Sequence, residues 1–205
     1  MVGTCFNTTS TMFTQLDYEL FPNTPEVYKL PSGELVAKIL KNASSSLDKQ
    51  GYKLANKDEI RTAEVITVYW RDPIERFKSG VSTFVQQTGM EVEHVVKYLF
   101  LNRHYAPQFY TLINLQRFMR QGAMFRIKRI DEVSKITEYN EQPYPNKLDV
   151  AITDKVNFYL TPDKLVWERY VGSLVLVAGI LNVLRVDYED YYAEVFEHSK
   201  NILQI

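Results

Sequence analysis

One cysteine, Cys5, stands among 205 residues, so the chain can close no internal disulfide. Neither a CxxC pair nor a CxxxxH spacing offers a structural zinc site, and a reducing compartment without a bound metal is expected. Met1–Phe13 lacks the basic start and continuous apolar stretch of a signal peptide. The longest apolar run, Val171–Leu184, has 14 residues and contains Ser173 and Asn182. It falls short of the ~20 residues that span a bilayer and is expected to be a buried helix. With neither leader nor span, the expected location is cytoplasmic. Repeats, low-complexity tracts and Gly/Ser linkers are also missing, so nothing marks a domain boundary. The length suits one core, with residues 1–32, punctuated by Pro22, Pro25 and Pro31, irregular ahead of a domain at 33–205.

What is present fits a folded chain: 45% hydrophobic, 24% charged and 13% aromatic. The 14 Tyr, 11 Phe and two Trp are mostly core material. The net charge of −1 hides an uneven distribution, because residues 1–40, 41–130 and 131–205 sum to −2, +7 and −6. A surplus confined to the middle of a neutral protein reads as a local anion site, or as uneven solvated faces, and not as a general nucleic-acid surface.

Leu35–Leu40 is aliphatic except at Lys38 and reads as a strand, followed by the polar Lys41–Ser46 and a helix from about Ser46 to Leu54. Glu64–Trp70 is β-branched and aromatic and suits a buried strand. After it, Asp72 is placed to N-cap a helix with Pro73 at N1 and Glu75 at N3. Helices over Val92–Leu101 and Ala106–Arg120 and a strand over Met124–Ile130 come next. A polar break at Asn140–Pro145 precedes a fourth strand, Val156–Leu160, and a long helix, Asp163–Leu184. This order predicts a single α/β domain with a central, mainly parallel sheet flanked by helices and a ligand at the C-terminal strand ends.

Two turns there have the composition of anion grips. Lys41-Asn42-Ala43-Ser44-Ser45-Ser46, between strand and helix, offers backbone amides and three hydroxyls to a phosphate or sulfate. Its plainer reading is a serine-rich N-cap beside a solvated lysine. The GxxxxGK[ST] glycines are absent, which disfavours a P-loop kinase that binds ATP with magnesium. Asn42-Ala43-Ser44 is also a bare glycosylation sequon, discounted without a signal. In Arg71-Asp72-Pro73-Ile74-Glu75-Arg76-Phe77-Lys78-Ser79, a guanidinium fork and a hydroxyl on one helix side suit a second phosphate. The plainer reading here is a capped surface helix whose arginines pair with Asp72 or Glu75. Both turns follow expected strands and lie 30 residues apart, so a parallel sheet brings them to one edge.

With Asn102-Arg103-His104-Tyr105-Ala106-Pro107-Gln108, these turns resemble the sulfotransferases that use 3′-phosphoadenosine 5′-phosphosulfate. The resemblance is nearest to the branch of the carbohydrate sulfotransferases of the secretory pathway and their bacterial relatives, sulfotransferase family 2. Lys41–Ser46 is similar to P-K-x-x-S/T-S/T-S, with Leu40 in place of proline. Arg71-Asp72-Pro73, Arg76 and Ser79 match R-D-P-x-x-R-x-x-S, and His104 to Gln108 resembles H-[WYF]-x-P-Q. The likeness covers Val36–Gln108, is thin at Met124–Ile130, and does not reach residues 1–30 or the C-terminal quarter.

The resemblance implies a P-loop NTPase-like sulfotransferase fold and an enzyme that moves a sulfuryl group from that nucleotide donor to a hydroxyl on a glycan, lipid or small metabolite. It implies that Lys41 is catalytic and binds the donor's 5′-phosphosulfate with Asn42, Ala43, Ser44, Ser45 and Ser46, while Arg71, Arg76 and Ser79 hold its 3′-phosphate. No metal is required. The default general base is histidine. His104, in the family-like segment, is preferred to His94 on a polar helix face and His198 near the C-terminus; a bond holding the Pro107 turn is its other reading. Glu75 already has a cap to make. The competing function is a non-catalytic nucleotide-binding or interaction protein that keeps the fold.

Overall fold

The computed structural model describes residues 25–99, 104–138 and 148–186. Asn102, Arg103, the Asn140–Pro145 break and His198 lie outside them, as do Cys5 and Pro22.

Among the described residues six strands form one sheet: β1 (Val27–Lys29), β2 (Leu35–Ala37), β3 (Lys53–Leu54), β4 (Val65–Trp70), β5 (Met124–Arg129) and β6 (Leu174–Leu176), in the order β3-β1-β2-β4-β5-β6. Only β2–β4 and β4–β5 are parallel; β1–β2, β1–β3 and β5–β6 are antiparallel. The expected mainly parallel sheet is therefore corrected to a mixed one, parallel at its centre and antiparallel toward both edges. The reason lies in the connections, since the short link from β1 to β2 turns at Gly33, where φ is 85° and Gly33 N–H meets the Leu30 carbonyl at 2.9 Å. Residues 1–32 are not wholly irregular either, because β1 falls within them.

Around the sheet lie α1 (Ser44–Lys49), α2 (Lys57–Thr62), α3 (Pro73–Thr88), α4 (Val92–Tyr98), α5 (Phe109–Gln116), α6 (Asp154–Tyr159), α7 (Thr161–Arg169) and α8 (Val177–Val186), with a 3-10 turn at Ile130–Lys135. Alternation along β4 decides the layers. Ile66, Val68 and Trp70 enter the large core with Phe77 and Val81 of α3 and Leu112 of α5, while Tyr69 joins a smaller cluster with Tyr28, Val36 and Leu47 of α1. At ~25 cal/mol per Å² of apolar surface, burial of this aliphatic core together with large rings such as Trp70 and Phe77 supplies most of the driving force.

Two further expectations fail on the C-terminal side. Val156–Leu160 is not a strand: Thr153 caps α6 by accepting from Val156 N–H at 3.2 Å. Asp163–Leu184 is not one helix. It breaks at Gly172, φ 86°, whose N–H binds the Ile127 carbonyl at 2.7 Å and starts β6. The apolar run 171–184 is thus split between an edge strand, with Leu174 51% and Leu176 48% exposed, and α8. Among the described residues no helix is long and apolar enough to cross a membrane.

Candidate functional site

β4 ends at Trp70, and α3 begins as its sequence requires. Asp72 accepts the Glu75 N–H at 2.9 Å, Pro73 occupies the first turn, and Gly89, φ 72°, closes the helix by donating to the Val85 carbonyl at 2.8 Å. The buried face of α3 carries Arg76, Ser79 and Gly80.

The loop after β2 is made differently. Lys41 and Ala43 both hold left-handed backbone, φ 69° and 57°. Such geometry costs a non-glycine residue about 1–2 kcal/mol and persists only where surroundings enforce it. Ala43 is the N-cap of α1, with no side-chain cap bond, so the serines lie inside the first turn. The left-handed Ala43 followed by helical residues turns successive N–H groups toward one point, the arrangement of an anion nest. None of the Ala43, Ser44 and Ser45 amides donates to a carbonyl among the described residues.

The two turns do meet. Arg71 Nη1 donates to the Lys41 carbonyl at 3.2 Å, and Arg76 Nε donates to the Leu40 carbonyl at 3.1 Å. Lys41 Nζ donates to Thr83 Oγ1 at 2.6 Å, and Thr83 Oγ1 donates to the Ser79 carbonyl at 3.1 Å. Lys41 therefore lies against the face of α3 that carries Ser79 and Thr83, with the Arg71 guanidinium on its carbonyl. Lys41 has no carboxylate in salt-bridge range among the described residues. Its ammonium is held below the usual lysine value by burial, then by the Arg76 and Arg71 charges.

The His104–Gln108 segment packs alongside. A Cβ on Gly80 would overlap the His104 carbonyl oxygen and lie 2.7 Å from Tyr105 Cβ, so this close approach needs glycine. Arg76 Nη1 donates to the Ala106 carbonyl, and Gln108 lies against Arg71. His104 is half-buried with Nδ1 enclosed, and its main chain rests on α3 one residue past Ser79. His94 is exposed on α4.

Arg76, expected as a third phosphate contact, is buried and has two donors on main-chain carbonyls. It braces the loop from behind. Burial draws its pKa down to about 10, while the Asp163 charge opposes the fall. Asn42, expected among the ligand contacts, is also buried, with its side chain turned to Tyr69 and Gln108.

Four residues here carried no assigned role in the sequence reading: Thr83, Gly80, Gln108 and Asp163. Thr83 repeats the Arg76–Ser79 face one turn on, a spacing visible in the sequence. Asp163 is remote and had no local signal. Its carboxylate accepts Gln108 N–H at 2.7 Å and Phe109 N–H at 2.9 Å, and its carbonyl accepts Trp70 Nε1 at 3.2 Å. Burial pushes its pKa up to about 6, against the pull of Arg76 and those two amides.

Comparison of the chain with protein-family models, with curated proteins and with solved structures gives no match.

Proposed function

We propose that this protein is a sulfotransferase that binds 3′-phosphoadenosine 5′-phosphosulfate and passes its sulfuryl group to an acceptor hydroxyl. The observation that supports it most is the junction of the two turns, Arg71 Nη1 on the Lys41 carbonyl, which sets two cationic residues side by side after neighbouring parallel strands. Lys41 and the Ala43–Ser46 turn would receive the 5′ group, and Arg71 with Ser79 the 3′-phosphate. Arg76 enters as a brace.

In the transfer, the acceptor oxygen forms a bond to sulfur as the bond from sulfur to the 5′-phosphate oxygen breaks, releasing adenosine 3′,5′-bisphosphate. Negative charge grows on the departing phosphate, so fixed donors nearby lower the barrier. Lys41 has two N–H donors beyond its bond to Thr83 for this purpose. The acceptor proton goes to His104.

Calorimetric titration with adenosine 3′,5′-bisphosphate tests the site. Wild type should bind, and Lys41→Ala and Arg71→Ala should each weaken binding about 10- to 100-fold, the range for a charge-assisted hydrogen bond. Because Lys41 releases its proton below the usual lysine value, affinity should fall as pH rises toward that value, and Lys41→Ala should remove this alkaline limb. Labelled donor with a panel of hydroxyl acceptors should give labelled product that His104→Ala suppresses. Binding without transfer would leave the non-catalytic reading in its place.

A further inference from the structure

Gln108 ties together the turns that carry Lys41 and Arg71, although it belongs to neither. Its side chain is fully buried. Oε1 accepts from Arg71 N–H at 3.1 Å and from Asn42 Nδ2 at 2.5 Å, while Nε2 donates to the Arg71 carbonyl at 2.9 Å. One planar amide thus satisfies both main-chain groups of Arg71, as an adjacent strand would. Asn42 Nδ2 also donates to the Tyr69 carbonyl at 2.7 Å, so the residue next to Lys41 is pinned to the end of β4.

The sheet does not do this work itself. β2 is registered on β4 at Val36 and Thr67, and β2 ends at Ala37. Past that point, among the described residues, the approach to Lys41 is held to β4 and its exit by the amides of Asn42 and Gln108 and by the Arg71 guanidinium. Gln108 is fixed in turn from outside the site, through its N–H to Asp163 Oδ2.

We infer that Gln108 is a positioning residue that sets the distance between Lys41 and Arg71, so that one ligand with two phosphate groups engages both turns at once. This rests on the bisphosphate reading above. Two grips in fixed register give the second contact at high effective concentration, and that advantage disappears when geometry prevents simultaneous engagement.

The test compares three probes, adenosine 3′,5′-bisphosphate, adenosine 5′-monophosphate and adenosine 3′-monophosphate, titrated into wild type, Gln108→Leu, Gln108→Glu and Asn42→Ala at one pH and salt. Gln108→Glu retains the acceptor but sets an oxygen against the Arg71 carbonyl; Asn42→Ala cuts the link on the Lys41 side. The expected result is loss of at least about 10-fold for the bisphosphate in each folded variant, with each monophosphate changed by less than about 2-fold. A purely structural role would weaken all three probes together. That outcome, or no loss for the bisphosphate, overturns the inference while leaving the nucleotide site standing. Failure of all three variants to fold also overturns it, since Gln108 would then serve the fold alone. Wild type that binds none of the probes removes the bisphosphate reading, and this inference with it.

Discussion

At the exit of β4, the features that start α3 lie within six residues, namely a buried strand end at Trp70, the Asp72 cap, Pro73 and the Glu75 amide that Asp72 accepts, and only the Arg71 main chain is held from afar, by Gln108. The loop at residues 39–43 has no such means. Its left-handed Lys41 and Ala43 are uncapped, and its carbonyls at Leu40 and Lys41 are held by Arg76 and Arg71 from 36 and 30 residues away. One turn starts its helix with its own residues; the other is shaped by its neighbours. Damage to the core should therefore reach the loop first and the β4–α3 junction last.

The largest effect that separates them is expected at Asp163. Removing the carboxylate by Asp163→Ala leaves the Arg76 charge buried without its counterion and frees the Gln108 and Phe109 amides, a loss of about 3–5 kcal/mol in urea unfolding. Its pH dependence has a definite sign. The native carboxyl retains its proton up to about pH 6, whereas the unfolded one releases it near 3.8. Between those values the native state binds more protons, so the contribution of this group is complete below 3.8 and lost as pH rises through about 6, at most about 3 kcal/mol. Asp163→Asn should abolish that slope. A variant as stable as wild type at pH 7 would mean that the loop does not depend on this prop.

Gly80→Ala comes next. The added methyl would strike the backbone of His104, which cannot rotate away as a side chain can, so the 104–108 segment must shift. About 3 kcal/mol of stability should be lost, at the upper end for overpacking. Nucleotide affinity should fall too, because the segment carries the Ala106 carbonyl and the Gln108 amide that hold the loop. Loss of stability with unchanged affinity would show that the loop is independent of α3 packing.

The same division explains what could be read from the sequence. β4, β5 and the start of α3 were legible because β-branched alternation, Asp72 and Pro73 act locally. The placement of Lys41 beside Arg71 followed from a strand-turn-helix order repeated on adjacent parallel strands. The antiparallel edges were not legible, since β1, β3 and β6 are only three, two and three residues long, and β3 and β6 form by pairing with partners distant in the sequence. Val156–Leu160 looked like a strand by composition, yet Thr153 and Asp154 at its head were helix-start signals. Gly172 likewise marked the break in the expected long helix. Arg76 and Asn42 resembled ligand contacts by motif position, but burial turned both inward. The roles of Gln108 and Asp163 depend on contacts spanning 37 to 93 residues, beyond any local pattern.

At the junction, Asp72→Ala removes one accepted amide bond and should cost about 1 kcal/mol, as for other helix caps. Because the Asp72 carboxylate serves the Glu75 amide and the Arg71 main chain is held separately by Gln108, the Lys41 loop should be undisturbed, and bisphosphate affinity should change less than 2-fold, roughly the scatter of a titration. A large drop in affinity would show that the junction also leans on its cap to aim Arg71.

The smallest and most discriminating change is Ala43→Gly. Glycine adopts the φ of 57° freely, which relieves about 1 kcal/mol of backbone strain, but it also gains unfolded-state freedom worth 0.5–1 kcal/mol, so stability should rise by no more than a few tenths. The informative measurement is binding. If the braces from Arg71, Arg76 and Asn42 define the loop, replacing Ala43 should leave bisphosphate affinity within about 2-fold, since the amides stay aimed by contacts that glycine does not touch. If instead the alanine methyl limits the loop to one shape, glycine should loosen it and weaken binding several-fold without loss of stability. That result would make the loop self-determined after all, and the contrast with the β4–α3 junction would vanish.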